Sequence, residues 1–305
     1  MWWRRRSVLG TVLAALVLTP LGLAAQNFDT VQVRAVKAGD RVYMLQGLGG
    51  NIGVSSGPDG VILVDDQYAP LTAKIRAALA GLDPTPGPIR FVLNTHWHSD
   101  HTGGNENLGK DGVVIVAHEN VRRRMSAEQF VTTFAQPVPA SPSGALPVVT
   151  FTDAVTFYHN GDSISAFHVA PAHTDGDVIV WFRHANVVHM GDTFFNGRYP
   201  LVDLASGGAV NGLIGAADRI LAMADANTKI IPGHGPLGDR VALQAYRTML
   251  VTVRDRIKQA VAAGRTLAQV QAAKPTAEFD AVWGNGRITP TMFVDILYQD
   301  LSRRN

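Results

Sequence analysis

The chain has 305 residues, of which 46% are hydrophobic and 17% charged, with 27 basic and 25 acidic side chains. That balance excludes a disordered chain and leaves ample material for a core, in one large domain or two small ones. The absence of cysteine excludes disulfides and a lipid-modified cysteine anchor. Met1-Trp2-Trp3-Arg4-Arg5-Arg6 opens the chain with positive charge, and an apolar stretch from Val8 to Leu23, interrupted by Pro20, follows it. Leu23-Ala24-Ala25-Gln26 then offers a small-residue cleavage site. This is the pattern of a secretory signal over residues 1–25, leaving residues 26–305 as one catalytic domain. A spanning helix wants roughly 20 apolar residues, more than this stretch supplies. Arg5-Arg6-Ser7-Val8-Leu9 also matches part of a twin-arginine signal. The expected location is periplasmic or secreted, by a Sec-type or twin-arginine route, with no stable membrane association after cleavage. Residues 1–25 hold three Arg and no acid, so the remainder carries 24 basic and 25 acidic groups. The one other basic run, Arg122-Arg123-Arg124, reads as a solvated helix face, and no nucleic-acid partner is expected.

The elements follow in order. Strands are predicted over 31–36 and 41–45, turned at Gly39-Asp40, and over 51–55 and 61–64, turned at Gly57-Pro58-Asp59-Gly60. Between the two pairs, Gly47-Leu48-Gly49-Gly50 reads either as a hairpin turn or as a flap over a site. Pro70 opens a helix to about Leu82, as expected of proline in a first turn. Strands over 89–93 and 113–117 precede a helix over 118–130 and a Pro- and Ser-rich loop from Pro137 to Pro147. Asn160-Gly161 marks a tight hairpin. Strands over 164–169, 178–182, 187–190 and 229–231 follow, with helices over 211–224, 239–263 and 290–302. Periodicity alone gives a mixed α/β fold.

The densest chemistry lies in His96-Trp97-His98-Ser99-Asp100-His101, where three imidazoles and a carboxylate fall within six residues. Zinc binds imidazole nitrogen and carboxylate oxygen, and a strand that ends in a tight loop aims several side chains at one point. His173 in Pro171-Ala172-His173-Thr174, Asp192 in Met190-Gly191-Asp192-Thr193 and His234 in Pro232-Gly233-His234-Gly235 each sit in a turn after a short apolar run. Strand ends of a layered fold can converge on one edge.

This set, in this order, resembles the metallo-β-lactamase superfamily, over most of the chain after residue 30. Asn94-Thr95-His96-Trp97-His98-Ser99-Asp100-His101-Thr102-Gly103-Gly104-Asn105 is similar to the lactamase zinc loop, and Pro171-Ala172-His173-Thr174 with Asp177-Val178-Ile179-Val180-Trp181 to the segment around its third histidine. The resemblance implies an αββα sandwich of two facing mixed sheets with outer helices. It implies two Zn2+ per chain, with iron or manganese as alternatives. His96, His98 and His173 would hold the first; Asp100, His101 and His234 the second, with Asp192 bridging the two or completing the second. Two such metals can share a hydroxide that attacks a substrate carbonyl, with Asp100 orienting it and relaying a proton. One departure matters. Cysteine-type lactamases place a Cys where this chain has Asp192, and a Lys three residues later where it has Phe195. Asp at that turn resembles glyoxalase II and the lactonases.

The expected function is therefore an exported dinuclear zinc hydrolase opening an amide, ester or thioester bond in a small molecule, with β-lactams the first substrate to test. A lactonase or glyoxalase II-like thioesterase is the alternative. An iron-dependent sulfur dioxygenase and a non-catalytic metal-binding protein are more remote. Among the remaining residues, Trp97 could line the pocket or pack beneath it, and Asn196, Arg198 and Tyr199 could contact substrate. Asp65 or Asp66 could buttress a ligand histidine or cap a strand end. His118, His159, His168, His184 and His189 read as surface or core residues.

Overall fold

The computed structural model describes residues 27–82 and 87–303; the expected signal segment lies outside them. Seven strands form the first sheet: β1 (Arg34–Gly39), β2 (Val42–Gln46), β3 (Ile52–Gly57), β4 (Gly60–Val64), β5 (Ile89–Asn94), β6 (Val114–His118) and, beyond a separate hairpin of β7 (Gln129–Val131) and β8 (Gln136–Val138), β9 (Val149–Phe151). The second sheet is β10 (Ala154–His159), β11 (Asp162–His168), β12 (Val178–Phe182), β13 (Val187–His189), β14 (Lys229–Ile231) and β15 (Gly238–Asp239), in that order. The helices are α1 (Thr72–Ala80), α2 (Ser99–Thr102), α3 (Asn105–Lys110), α4 (Glu119–Met125), α5 (Val210–Met223), α6 (Arg240–Ala262), α7 (Leu267–Ala272), α8 (Asp280–Trp283) and α9 (Pro290–Ser302). No helix among the described residues is long and apolar enough to cross a membrane.

Period-two alternation explains the layering. Ile62 and Val64 of β4 point inward and meet Val178, Val180 and Phe182 of β12 in the core between the sheets. Their neighbours Val61 and Leu63 point outward, against Leu71, Ile75 and Leu79 on and before α1. On the other side, Ile179 and Trp181 join the core built with α5, α6 and α9. This is the expected αββα sandwich. Each fully buried Val, Leu or Ile contributes about 1.5–3 kcal/mol of transfer free energy.

Three expectations change. The helix expected over 118–130 stops at Met125, and the chain turns into the β7–β8 hairpin, where Phe130 is half exposed instead of packed. The expected loop from Pro137 begins inside β8 and is followed by β9, a further strand of the first sheet. The first strand begins at Arg34 and runs to Gly39.

At the end of the sandwich where β4 begins, two hairpin turns are stapled. Asn160 donates from Nδ2 to Ser55 Oγ and Gly60 O, both at 3.0 Å, and its Oδ1 accepts from Asp59 N at 3.1 Å. Its φ of 53°, followed by Gly161 at 78°, fits the Asn-Gly turn read from sequence. Asn160→Ala is expected to cost about 1–3 kcal/mol, because buried partners lose their bonds. Urea denaturation would show a lower midpoint, with metal content unchanged.

Candidate metal centre

The site lies where parallel strands of both sheets end. β4 delivers Asp65 and Asp66, and β5 delivers the loop from Thr95 to α2. From the second sheet, the parallel pair β13 and β14 delivers Asp192 and His234, and the β11–β12 connection delivers His173. Backbone bonds join these turns: Val178 N to Thr95 O, Asp66 N to His101 O, Asn51 N to Gly233 O and Asn196 N to His234 O, at 2.7–2.9 Å. Each sequence-predicted ligand thus reaches one place.

They form two groups. His96, His98, His173 and Asp192 make one, buried; Asp100, His101 and His234 make the other, partly open. Asp192 touches both. Its Oδ2 stands 3.5 Å from His173 Nε2, 3.9 Å from His96 Nε2 and 3.4 Å from His234 Nε2, and its Oδ1 is 3.1 Å from His101 Nε2. Asp100 Oδ2 is 3.3 Å from His234 Nε2. The Asp100 and His234 side chains are 24% and 18% exposed, so the centre opens on their side.

The far nitrogens settle the tautomers. His98 Nε2 donates to Asp203 Oδ2 at 3.1 Å, and His173 Nδ1 to the Leu201 carbonyl at 2.8 Å. Thr95 Oγ1 gives its proton to Asp65 Oδ2 and accepts from His96 Nδ1 at 3.1 Å. A carboxylate or carbonyl oxygen only accepts. In that tautomer each imidazole of the first group turns a lone pair inward. His173 Nε2 and His98 Nδ1 stand 2.9 Å apart, and His96 Nε2 is buried without a hydrogen bond. Converging lone pairs beside a carboxylate are the donor set of a zinc-type cation, which these residues fit. His101 Nδ1 likewise donates to Asp65 Oδ2, at 2.7 Å.

Asp65 is thus the buttress foreseen as one of two candidates, while Asp66 accepts from Gly104 N at 2.9 Å and caps the loop. Sequence reasoning missed Asp203, which no motif flags. It also missed Asp177, which accepts from His173 N, Thr174 N and Thr174 Oγ1, and Asn51, whose Nδ2 donates to Pro232 O and Gly235 O, both at 2.9 Å. An Asp three residues after a Thr was the available signal for Asp177.

Electrostatics divide the groups. Burial pushes His96 and His173 below their ordinary values, so they stay neutral. Burial would also lower His101 and His234, but the charges of Asp192 and Asp100 outweigh it; His101 is raised and His234 is pushed up to about 9. Burial opposes ionisation of Asp192, yet the neighbouring histidines hold it well below the carboxylate range. His234 is protonated in the metal-free fold at neutral pH. The stability this contributes is fully present below 6.5 and lost as the pH rises through about 9. The melting temperature of the chelated protein is expected to fall across that window, and to fall less in His234→Asn. Scanning fluorimetry at several pH values checks this; an equal decline in both proteins contradicts it.

The weaker candidates lie around this centre, Trp97 in the second of its two expected places. Trp97 is 4% exposed, packs against His98 and donates to Ser206 Oγ at 3.1 Å, so it lies beneath the site. Asn196 spends its Nδ2 on Pro236 O at 2.9 Å and steadies the His234 turn. Tyr199 is buried, stacked on Phe293 and bonded to Asp280 at 2.8 Å, which makes it a core residue. Arg198 is exposed. Gly50 donates to Asp100 O at 3.0 Å and accepts from Gln67 Nε2 at 2.7 Å, while Leu48, two residues before it, is exposed. His118, His159, His168, His184 and His189 stand outside both groups.

The model of the metallo-beta-lactamase superfamily matches residues 45–247. The chain is 30% identical over 144 residues to the 2,4-dinitroanisole O-demethylase subunit alpha of Nocardioides sp., a match covering 46% of this chain and 40% of that protein. It is 29% identical over 141 residues to the hydroxyacylglutathione hydrolase of Methylococcus capsulatus, covering 44% of this chain and 47% of that enzyme. The matches thus span less than half the length of these two relatives. Among solved structures, the metallo-beta-lactamase from Pontibacter korlensis superposes with a TM-score of 0.57 at 19% identity, over 72% of this chain and 99% of that one. A match over two thirds of the chain, carried by the fold and by the histidine and aspartate groups just described, gives one conclusion: the chain belongs to the metallo-β-lactamase superfamily of metallo-hydrolases.

Proposed function

We propose that this chain is an exported hydrolase that holds two zinc ions and opens an ester, lactone, thioester or β-lactam bond in a small molecule. The observation that carries the reading is the set of inward lone pairs on His96, His98 and His173, with Asp192 within 4 Å of both groups. Seven ligand-type residues in two groups favour two ions over one. When bound, such ions supply a water acidified to a pKa of about 7 and a Lewis acid for a carbonyl. The protein's own part is geometric and electrostatic. Asp65 and Asp203 orient two of the imidazoles. Asp192 keeps the two groups in one electrostatic unit. Asp100, on the open side and 3.3 Å from His234, is the group placed to hold and pass a proton. Trp97 packs against His98 and Phe195 stacks on His234, so each covers one face of a ring in the site.

Asp192 in place of a thiolate favours ester, lactone and thioester substrates, as does the similarity to a hydroxyacylglutathione hydrolase. The similarity to metallo-β-lactamases and the N-terminal signal pattern favour a β-lactam tested first. Residues 26–305, loaded with zinc, would be assayed on a chromogenic cephalosporin, an aryl ester, a lactone and a glutathione thioester, with His98→Ala as control. Turnover of one class that is lost in the variant is expected. Two bound zincs with no turnover of any class contradict the hydrolase reading.

A further inference from the structure

Of the three imidazoles in the buried group, only His98 presents Nδ1 inward, and only His98 leans on a carboxylate. His96 leans on a threonine hydroxyl and His173 on a backbone carbonyl. Asp203, 2% exposed, accepts on Oδ2 from both His98 Nε2 at 3.1 Å and Ser206 Oγ at 2.5 Å. Ser206 Oγ in turn accepts from Trp97 Nε1 at 3.1 Å. Trp97 and His98 are adjacent, so the bonds close a ring that returns to the dipeptide it started from. The turn is itself anchored to the site, because Asp203 N donates to His173 O at 2.9 Å and Gly208 N to Asp203 O at 2.8 Å.

A half-turn of the His98 ring about Cβ–Cγ would exchange Nδ1 with a carbon and Nε2 with another. The metal-facing lone pair would then be lost, and so would the bond to Asp203. A ring held by both the carboxylate and the hydroxyl behind it has one orientation, already the one a metal needs.

We propose that Asp203 is a positioning residue: through Ser206 and Trp97 it locks His98 with Nε2–H outward and Nδ1 inward, and so sets the affinity of the buried metal position. This rests on the reading of His96, His98 and His173 as metal ligands. Asp203 sits 105 residues from His98 and reaches it at the ring nitrogen that faces away from the other histidines.

The test is zinc affinity of each equivalent, by competition against a chromophoric chelator, with the absorption spectrum of the cobalt-loaded protein as a second readout. Wild type is expected to bind two equivalents. Asp203→Ala should weaken one of them about 10–100-fold, the usual cost of losing such a partner, change the cobalt spectrum, and leave the other within about three-fold. Asp203→Asn keeps an accepting oxygen and should restore most of the loss. Should Asp203→Ala fail to fold, Ser206→Ala carries the test, with a smaller loss in the same equivalent. Wild-type affinity and spectrum in the folded alanine variant, or in Ser206→Ala where that is the variant used, overturn the proposal and leave the metal reading standing. Asp203→Asn as weak as Asp203→Ala also overturns it, since charge and not position would then matter. A wild-type protein that binds no metal overturns both.

Discussion

Asp192→Ala is expected to remove hydrolysis altogether and to leave fewer than two metals bound, a larger effect than any other single ligand change. The Asp192 carboxylate lies within 4 Å of histidines in both groups. On the proposed function, its loss would take away a donor from each metal position and the negative charge that offsets two cations in a buried site. Outer partners of metal ligands cost about 10–100-fold when removed; a shared ligand should cost more than that in affinity for each ion. Asp192→Asn keeps the volume and one oxygen but not the charge. It should retain the fold and still lose most of the activity. Metal analysis and initial rates check both variants. Full occupancy with near-normal turnover in Asp192→Ala would mean that the two groups work independently.

Gly50→Ala should empty the more open metal position while leaving the buried one loaded. A methyl group there would overlap the His101 ring, 2.6 Å from Nδ1 and closer still to Cε1 and Nε2. Neither partner can yield easily. The Gly50 backbone is held by Asp100 O and Gln67, and the ring by Asp65. Overpacking of this kind costs about 1–3 kcal/mol of stability, and here it also turns a ligand away. Gly233→Ala should instead weaken both positions, through Asp192, whose Oδ1 the added methyl group would overlap. Gly215→Ala is the control. It lies inside α5 with nothing within 4 Å, so it should leave the metals alone and raise stability by about 1 kcal/mol. Metal content and melting temperature of the three variants together separate a local clash from a general loss of fold.

The ligand turns were legible because each couples a short apolar run to a Gly- or Pro-bearing turn with a histidine or aspartate in it. The sandwich was legible from period two: β4 and β12 alternate their faces residue by residue, and the stapled Asn160-Gly161 turn was marked by its own dipeptide. The hairpin after Met125 was not, because residues 126–130 hold no Gly or Pro to stop a helix, yet the chain turns there and leaves Phe130 half exposed. Asp65 and Asp66 were readable as a pair but not apart. The left-handed backbone of Asp65, φ 66°, turns its carboxylate toward Thr95 and His101, and no local signal predicts that. Asp203 and Asn51 were invisible for a related reason. Their partners lie 105 and more than 180 residues away, in contacts that exist only once the sheets have stacked.

On the proposed function, seven side chains form two adjacent metal positions that share Asp192. Crystals grown with zinc and measured at the zinc absorption edge test it most directly. Two anomalous peaks are expected, one among His96, His98 and His173 and one among Asp100, His101 and His234, with Asp192 between them. A single peak, or zinc bound elsewhere with both groups left empty, would contradict it.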